Sequence, residues 1–261
     1  MSITSPELSI VIVTHDSGGT IRFCLDAISH ASADLDIEIM IVDHASTDDT
    51  LALIQSTDLD LHVIPLRTNE GFAKGCHRGV KASSGEMLML LNPDVIVSQS
   101  FLSEAISSLR EGYRVGAIVP LLVDGLGRIL PESARQLPSV GGSLRKLLFG
   151  GGRGYYQDIV VGESEQTIAI MSGACFMMYR KTWDQIGGFD IRYFMYAEDM
   201  DLSYTLQKSG YEVLLLPSHP VIHFKGESTR KQSWNYNFHF YRSMSLFLEK
   251  YSGELYPLWQ V

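Results

Sequence analysis

Short apolar segments alternate with helix-like segments over the first 120 residues, and this alternation is the strongest constraint on the fold. The apolar segments are LSIVIVT, IEIMIVD, LHVIPL and MLMLL, at Leu8–Thr14, Ile37–Asp43, Leu61–Leu66 and Met87–Leu91. Strands that are apolar on both faces and separated by helices of this length are typical of βαβ units with a parallel sheet. The sequence therefore predicts the α/β class, with a doubly wound, mostly parallel sheet and helices on both faces.

The helical segments between these strands show apolar residues at helical spacing. We predict helices over Thr20–Ser32, from Ser46–Asp49 onward, over Gly71–Ser83 and over Phe101–Arg110.

The pattern changes after Pro120. Residues 121–165 are rich in Gly and Pro, which predicts an excursion with a hairpin and mobile loops around one periodic segment, Val140–Phe149. TIAIMSGACFMMYR then predicts a pair of strands, and YEVLLLP and VIHF predict two more. Helical segments are predicted at Lys181–Ile186, Asp199–Ser209 and Tyr236–Tyr251. Because no linker divides the chain, we expect one domain over residues 1–261, with a doubly wound α/β half to residue 120 and a less regular half after it.

Charge and cysteine usage narrow the function. A net charge of -9 argues against a nucleic-acid partner, since binding to a phosphate backbone needs clustered Lys and Arg. An anionic ligand would need another source of positive charge, and a divalent cation held by carboxylates is one. Three scattered cysteines without CxxC spacing favour a reducing cytosol. We expect neither a signal peptide nor a membrane-spanning segment.

Polar residues follow three of the predicted strands, as Thr14-His15-Asp16, Asp43-His44-Ala45-Ser46 and Asn92-Pro93-Asp94. Ligands of open α/β sheets bind beyond the carboxyl ends of the strands. A single acid there is usually a helix cap or a turn residue, but three such ends together indicate a site. We expect Ser46 to cap the next helix while Asp43 faces the ligand, and Pro93 to direct Asp94 into an open crevice.

Gly71, Gly75 and Gly79 lie four residues apart, on one face of a predicted helix. Each glycine costs about 1 kcal/mol relative to alanine in a helix. Either close packing on the sheet or close approach of a ligand explains them.

Two adjacent carboxylates, Glu198 and Asp199, open a helix directly after the aromatic run Phe194-Met195-Tyr196. Acids at a helix N-terminus are favourable, but that preference does not explain the aromatic residues.

The ordered motifs SIVIVTHDS, IVDHASTD, NEGFAKGCHRG, LLNPD, GACFMMYR, GGFDIRYFMYAEDMDL and HFKGES resemble the family-two inverting glycosyltransferases of the GT-A fold, most closely a rhamnosyltransferase-like branch. The resemblance implies transfer of a sugar from a dTDP- or UDP-sugar donor to a glycan or lipid-linked acceptor in polysaccharide biosynthesis. It also implies a Mg²⁺ or Mn²⁺ cofactor. A cytoplasmic location, at the inner face of the membrane, is expected from relatives, and peripheral membrane contact and a homodimer are compatible with the sequence.

The resemblance also assigns residues. Asp43 would accept a hydrogen bond from the pyrimidine, with Thr14, Asp16, Ser46, Asn69, Gly71, Lys74 and Asn92 around the donor. Asp94 would hold the metal on the diphosphate, with His223 as a further metal or diphosphate contact. Asp199 resembles the general base, with Glu198 beside it. Lys225, Ser228 and Arg230 are candidates for a loop over the diphosphate, with a solvated loop as the alternative. Trp183 and Trp234 are candidates for stacking on acceptor sugars, although an aromatic residue near a helix is more often part of the core.

The sequence departs from the family pattern at three positions. Asn92-Pro93-Asp94 replaces a full DxD, and His44 and His77 stand where Asn is common. The weakened metal motif leaves a binding module without catalysis as one alternative. A metal-dependent nucleotidyltransferase is another, although the chain has no glycine- and lysine-rich phosphate loop.

Overall fold

The structure, a computed structural model, describes residues 5–136, 156–224 and 233–255, with side chains in the last helix described for 237–251. The predicted segment Val140–Phe149, the residues Lys225, Ser228 and Arg230, and the side chain of Trp234 lie outside the described residues.

The described strands form one mixed sheet in the order β3-β2-β1-β4-β8-β6-β9-β5, with β7 paired to β9. Their bounds are β1 Leu8–Thr14, β2 Ile37–Asp43, β3 Leu61–Pro65, β4 Met87–Leu91, β5 Val95–Ile96, β6 Val115–Val123, β7 Gln166–Ile168, β8 Cys175–Tyr179 and β9 Glu212–His223. The first four strands in this order are parallel, as predicted. β8 then runs antiparallel to β4, which makes the sheet mixed rather than fully parallel.

Helices cover both faces of this sheet, as predicted. They are α1 Ile21–Ala31, α2 Thr50–Gln55, α3 Phe72–Ala82, α4 Gln99–Glu111, α5 Arg180–Ile186, α6 Glu198–Lys208 and α7 Ser233–Leu255. α1 and α4 bury their apolar stripes against one face, whereas α3 and α6 pack on the other. All five residues of β4 are buried between these layers, and each such side chain contributes about 1.5–3 kcal/mol. That burial explains why MLMLL has no polar residue until the strand ends.

Three strand predictions needed correction. β6 was not predicted, because Pro120 interrupts it. The strand accommodates the proline through a register shift against β9 between Pro120 and Leu121. YEVLLLP and VIHF form the single strand β9 rather than two. The strands of TIAIMSGACFMMYR do not pair with each other, since β7 pairs with β9 and β8 with β4 and β6.

A hairpin begins the excursion after β6, as predicted. Val123 bridges Ile129, and the Asp124 amide donates to the carbonyl of Arg128 at 2.9 Å. Further along, Arg135 forms isolated bridges with Tyr156 and Ile170. The second bridge places Arg135 next to the segment that follows β7.

The helices within the described ranges are all too short or too polar to cross a bilayer.

Candidate active site

The carboxyl ends of β1 and β2 lie side by side, because Thr14 and Asp43 are partners in the parallel register. The Thr14 hydroxyl donates to Asp43 Oδ1 at 2.8 Å. Ser46 donates to the same carboxylate from its hydroxyl, at 2.5 Å, and from its amide, at 3.0 Å. The Asp16 amide in turn donates to Ser46 Oγ at 2.9 Å. Four of the predicted donor-site residues therefore form one hydrogen-bonded unit.

Two details of this unit differ from the sequence analysis. Ser46 does not cap α2: Asp49 occupies the N-cap position without a side-chain cap bond, and the Asp48 carboxylate accepts from the amide of Thr50, the first residue of the helix, at 3.0 Å. Ser46 is instead held by Asp43, which is only 1% exposed. Asp16 adopts a left-handed backbone with a φ of 50°, and its carboxylate accepts from the Thr47 amide. This bond lowers the pKa of Asp16.

The start of α3 joins the second strand end through His44. The His44 Nδ1 atom accepts from the Glu70 amide at 2.9 Å, and the carbonyl oxygen of the Asn69 side chain accepts from the Gly71 amide at 3.0 Å. Asn69 and Lys74 are exposed, whereas Gly71 is buried. Burial lowers the pKa of His44, which favours the neutral ring.

The glycine stripe of α3 is explained by packing. A Cβ at Gly75 would lie 2.6 Å from His44 Nε2, and one at Gly79 would clash with Val11. Gly71 has a φ of 91°, and a Cβ there would lie 2.6 Å from the carbonyl oxygen of Phe194. The stripe therefore lets α3 approach the sheet at two positions and the loop before Glu198 at the third.

The third strand end places Asp94 between β4 and β5, opposite His223 on β9. Val95 pairs with His223, and the Phe224 amide donates to the carbonyl of Asp94 at 2.9 Å. This pairing encloses Asp94, which is only 5% exposed. Asp94 therefore does not lie in an open crevice, contrary to the prediction from the sequence.

The Asp94 and His223 side chains fit a divalent cation. Asp94 Oδ1 lies 3.4 Å from His223 Nε2, and neither this oxygen nor His223 Nδ1 has a hydrogen-bond partner in the described part of the chain. A buried carboxylate oxygen without a donor is costly, and a cation would satisfy it. Within the described ranges, no group of three or more His, Cys, Asp or Glu side chains is placed to hold a metal. A cation there would need further ligands from a bound diphosphate.

Glu198 and Asp199 begin α6 after an unusual turn. Tyr196 and Ala197 both have left-handed φ values, 68° and 64°. Such conformations cost of order 1–3 kcal/mol each in non-glycine residues and cluster at functional sites. The turn places Glu198 in the interior and leaves the Asp199 side chain 14% exposed.

Asp199 is held by three donors. Its Oδ2 atom accepts from Arg135 at 2.6 Å and from the Gly173 amide at 3.0 Å, and its Oδ1 atom accepts from the Met200 amide at 2.8 Å. The sequence analysis did not predict Arg135. Its pentapeptide, ESARQ, has no motif, and only the bridge to Ile170 brings it to α6.

Glu198 differs from Asp199 in its environment. Burial, followed by the neighbouring charge of Asp199, raises the pKa of Glu198 to about 8. Its Oε2 atom is buried and has no hydrogen-bond partner among the described residues. Burial without a hydrogen-bond partner therefore favours the protonated form of Glu198.

The aromatic residues before Glu198 hold α7 rather than forming an open platform. Phe194 stacks on His239 with a centroid distance of 4.4 Å, and Tyr196 contacts Phe240 edge-on at 6.1 Å.

The prediction that Trp183 stacks on an acceptor sugar is wrong. Trp183 is 3% exposed and packs edge-on against Phe189 in the core.

The segment before β8 connects the two acidic regions. The Asn92 amide, two residues before Asp94, donates to the Ala174 carbonyl at 2.8 Å. The amide of the adjacent residue, Gly173, donates to Asp199. Asn92 and Asp199 therefore contact the same short stretch of backbone, residues 173–174, although they lie on different halves of the chain.

Comparison with known proteins shows the family of this chain. Residues 9–187 match glycosyl transferase family 2. The chain belongs to this family. Residues 143–259 also match glycosyl transferase family group 2. The activity of this family 2 protein is glycosyl transfer.

Curated relatives include two rhamnosyltransferases. The N-acetylglucosaminyl-diphospho-decaprenol L-rhamnosyltransferase of Mycobacterium tuberculosis is 29% identical over 265 residues, which cover 94% of this chain and 85% of the relative. Rhamnosyltransferase WbbL of Escherichia coli is 24% identical over 58% of this chain and 56% of its own length.

Solved structures confirm the GT-A fold. GalNAc-T7, solved with UDP, GalNAc and Mn²⁺, superposes with a TM-score of 0.62 at 16% identity over 85% of this chain and 44% of that chain. The mannosyltransferase PcManGT of Pyrobaculum calidifontis, in complex with GDP-Man and Mn²⁺, superposes with a TM-score of 0.60 at 19% identity over 91% of this chain and 61% of that chain. The family 2 chain thus spans roughly half the length of these solved chains.

Proposed function

We propose that this family 2 protein is a metal-dependent, inverting glycosyltransferase that moves rhamnose from a dTDP- or UDP-linked donor to a lipid-linked glycan acceptor. The observation that carries the proposal is that Asp199 and Asn92, two residues before Asp94, contact the same backbone segment, residues 173–174. A donor diphosphate at Asp94 and an acceptor hydroxyl at Asp199 would then lie on opposite sides of one sugar.

The nucleoside is proposed to bind at the ends of β1 and β2. Thr14 and Ser46 orient the Asp43 carboxylate, which accepts a hydrogen bond from the pyrimidine. Asp16 and Asn69 border this position on neighbouring loops, and Lys74 on the first turn of α3 contributes positive charge towards the diphosphate.

Asp94 and His223 are proposed to hold the divalent cation together with the donor diphosphate. When bound, a cation at this position supplies the positive charge that stabilises the departing diphosphate. Among the described residues, one carboxylate and one histidine give the cation two protein ligands, so we expect tight cation binding only when the donor is present. Asn92 would line the same strand end.

Asp199, rather than its neighbour Glu198, is proposed as the general base, because the Asp199 side chain is partly exposed whereas Glu198 is buried. Burial also raises the pKa of Glu198 and favours its protonated form, and a protonated carboxyl cannot take up the proton. Asp199 would take the proton from the acceptor hydroxyl as its oxygen attacks the anomeric carbon, and the bond to the diphosphate oxygen breaks on the opposite face. This attack inverts the anomeric configuration.

The test is product analysis with purified protein. It is incubated with dTDP-rhamnose or UDP-sugars, a short-chain polyprenyl-diphosphate-GlcNAc acceptor, and Mn²⁺, Mg²⁺ or EDTA. We expect a metal-dependent disaccharide product whose anomeric configuration, read by NMR, is opposite to that of the donor. A retained configuration, a transferred nucleotidyl group, or tight donor binding without turnover on any acceptor would contradict the proposal.

We further propose that the first turns of α7 rest on the membrane that carries the acceptor. Phe238 and Tyr241 are 63% and 68% exposed, and their neighbours His239 and Phe240 contact the loop before Glu198. Interfacial aromatics favour such a position. Vesicle flotation should show binding that weakens in a Phe238→Ser, Tyr241→Ser variant; equal flotation of both proteins, or no flotation of either, would contradict it.

A further inference from the structure

We propose that Arg135 is a positioning residue for the reaction, and that it fixes the Asp199 carboxylate in the orientation in which one oxygen faces the acceptor hydroxyl. This inference rests on the proposed role of Asp199 as general base. It concerns a residue outside the motifs that identify the family.

Arg135 is held in place by hydrogen bonds of both its backbone and its side chain. Its amide donates to the Ile170 carbonyl at 3.1 Å, and its own carbonyl accepts from the Ile170 amide at 2.9 Å. Its guanidinium donates to the Met171 carbonyl and, at 2.6 Å, to Asp199 Oδ2. The side chain is only 15% exposed. An arginine fixed at both its backbone and its guanidinium has few alternative rotamers, so it holds its partner in one place.

The two oxygens of the Asp199 carboxylate have different hydrogen-bond donors. Oδ2 is occupied by Arg135 and the Gly173 amide. Oδ1 accepts only from the adjacent Met200 amide among the described residues. A carboxylate oxygen accepts more than one hydrogen bond, so Oδ1 keeps capacity for an acceptor hydroxyl. Arg135 therefore determines which oxygen acts as the base.

The segment that binds Arg135 also connects the Asp199 carboxylate to the strand end that carries Asp94. The Met171 amide donates to Ser203 on α6 at 3.2 Å, and Ser203 donates to the Asp199 carbonyl at 2.7 Å. Three residues further along, Ala174 accepts from Asn92 beside Asp94. Residues 170–174 thus connect Arg135, the proposed base and the proposed metal end of the sheet. Small displacements of a reacting group cost large factors in rate, and this arrangement limits them.

The experiment compares Arg135→Lys and Arg135→Ala with Arg128→Ala. Arg128 forms the equivalent ion pair with Asp124 on the surface, where its side chain is 73% exposed, and it serves as the matched control. For each protein, kcat and KM are measured for donor and acceptor, and donor affinity is measured by calorimetry with Mn²⁺. We expect kcat of both Arg135 variants to fall by about 100-fold, the size of effect that misplacement of a reacting group produces, with donor affinity within about threefold of the wild type. Arg128→Ala should match the wild type.

Chemical rescue separates positioning from folding. Added guanidinium at non-denaturing concentration should raise kcat of Arg135→Ala by about tenfold. It should leave kcat of the double variant, which carries both Arg135→Ala and Asp199→Asn, unchanged. An equal concentration of sodium chloride should rescue neither. A kcat within threefold of the wild type in both Arg135 variants would overturn the inference. So would a loss of donor affinity with unchanged kcat, since Arg135 would then be a donor-binding residue. No transfer by the wild-type protein would instead contradict the proposed function itself.

Discussion

Asp94 and His223 face each other across the junction of β5 and β9, with Oδ1 of the aspartate 3.4 Å from Nε2 of the histidine. The two residues are 129 positions apart and are brought together by the pairing of Val95 with His223. In the proposed metal site, this pairing places the His223 side chain beside the single carboxylate of Asn92-Pro93-Asp94.

Metal-dependent donor binding should depend on this pair. In wild-type protein, a nucleotide-diphosphate sugar with Mn²⁺ at 100 times its dissociation constant should add about 2.7 kcal/mol of stability. Asp94→Asn and His223→Ala should lose most of this gain, because each removes one of the two ligands proposed among the described residues. His219→Ala, on the same strand, is the control. Thermal unfolding with donor and Mn²⁺ checks the prediction, and full stabilisation of both variants would contradict it.

The protonated state of Glu198 predicts a pH-dependent stability. Its pKa in the folded protein, about 8, lies above its ordinary value. The folded state therefore binds one proton more than the unfolded state between about pH 4.5 and pH 8. The stability that this proton provides is fully present below the lower value and is lost as the pH rises through the folded pKa.

Glu198→Gln should remove this dependence. The free energy of unfolding of the variant, minus that of the wild type, should increase between pH 5 and pH 8 by up to about 1.4 kcal/mol per pH unit. Urea unfolding at several pH values measures it. Glu212→Gln, at an exposed position on β9, should show no such trend. A flat difference for Glu198→Gln would show that the carboxyl is ionised in the folded protein.

A side chain at Gly71 should destabilise the protein for two reasons, backbone strain at a positive φ and a clash with Phe194. Gly71 and Gly127 both have positive φ values, 91° and 76°, but only Gly71 has a neighbour, Phe194, where a Cβ would project. Gly127→Ala should therefore cost about 1–2 kcal/mol, from backbone strain alone. Gly71→Ala should cost more and should also lower kcat, because the Phe194 loop leads into Glu198. Equal unfolding free energies and unchanged turnover in the two variants would refute this reason for the glycine.

The sequence predicted the elements of the donor half well. β1, β2 and β4 have the predicted bounds, and their polar ends converge because parallel strands end at the same edge. β6 could not be recognised, since a proline in its interior is compatible with a strand only through a register shift that depends on β9. Periodicity also does not reveal that VIHF continues the preceding strand.

The candidate site was only partly predictable for the same reason. Local motifs identified Asp43, Asp94 and Asp199, but the partners of these residues are set by tertiary contacts. Ser46 was expected to cap a helix and is bound to Asp43 instead. The Arg135 side chain reaches Asp199 across 64 residues, and no spacing in the sequence indicates that contact.

The central claim is that Asp199 activates the acceptor while Asp94 serves the donor. The most direct test is Asp199→Asn, assayed for sugar transfer and, by calorimetry, for donor binding with Mn²⁺. Asp184→Asn, an exposed acid on α5, is the control. We predict that Asp199→Asn binds the donor with wild-type affinity and loses transfer by at least about 100-fold, as expected for removal of a general base. Wild-type turnover in this variant would contradict the account.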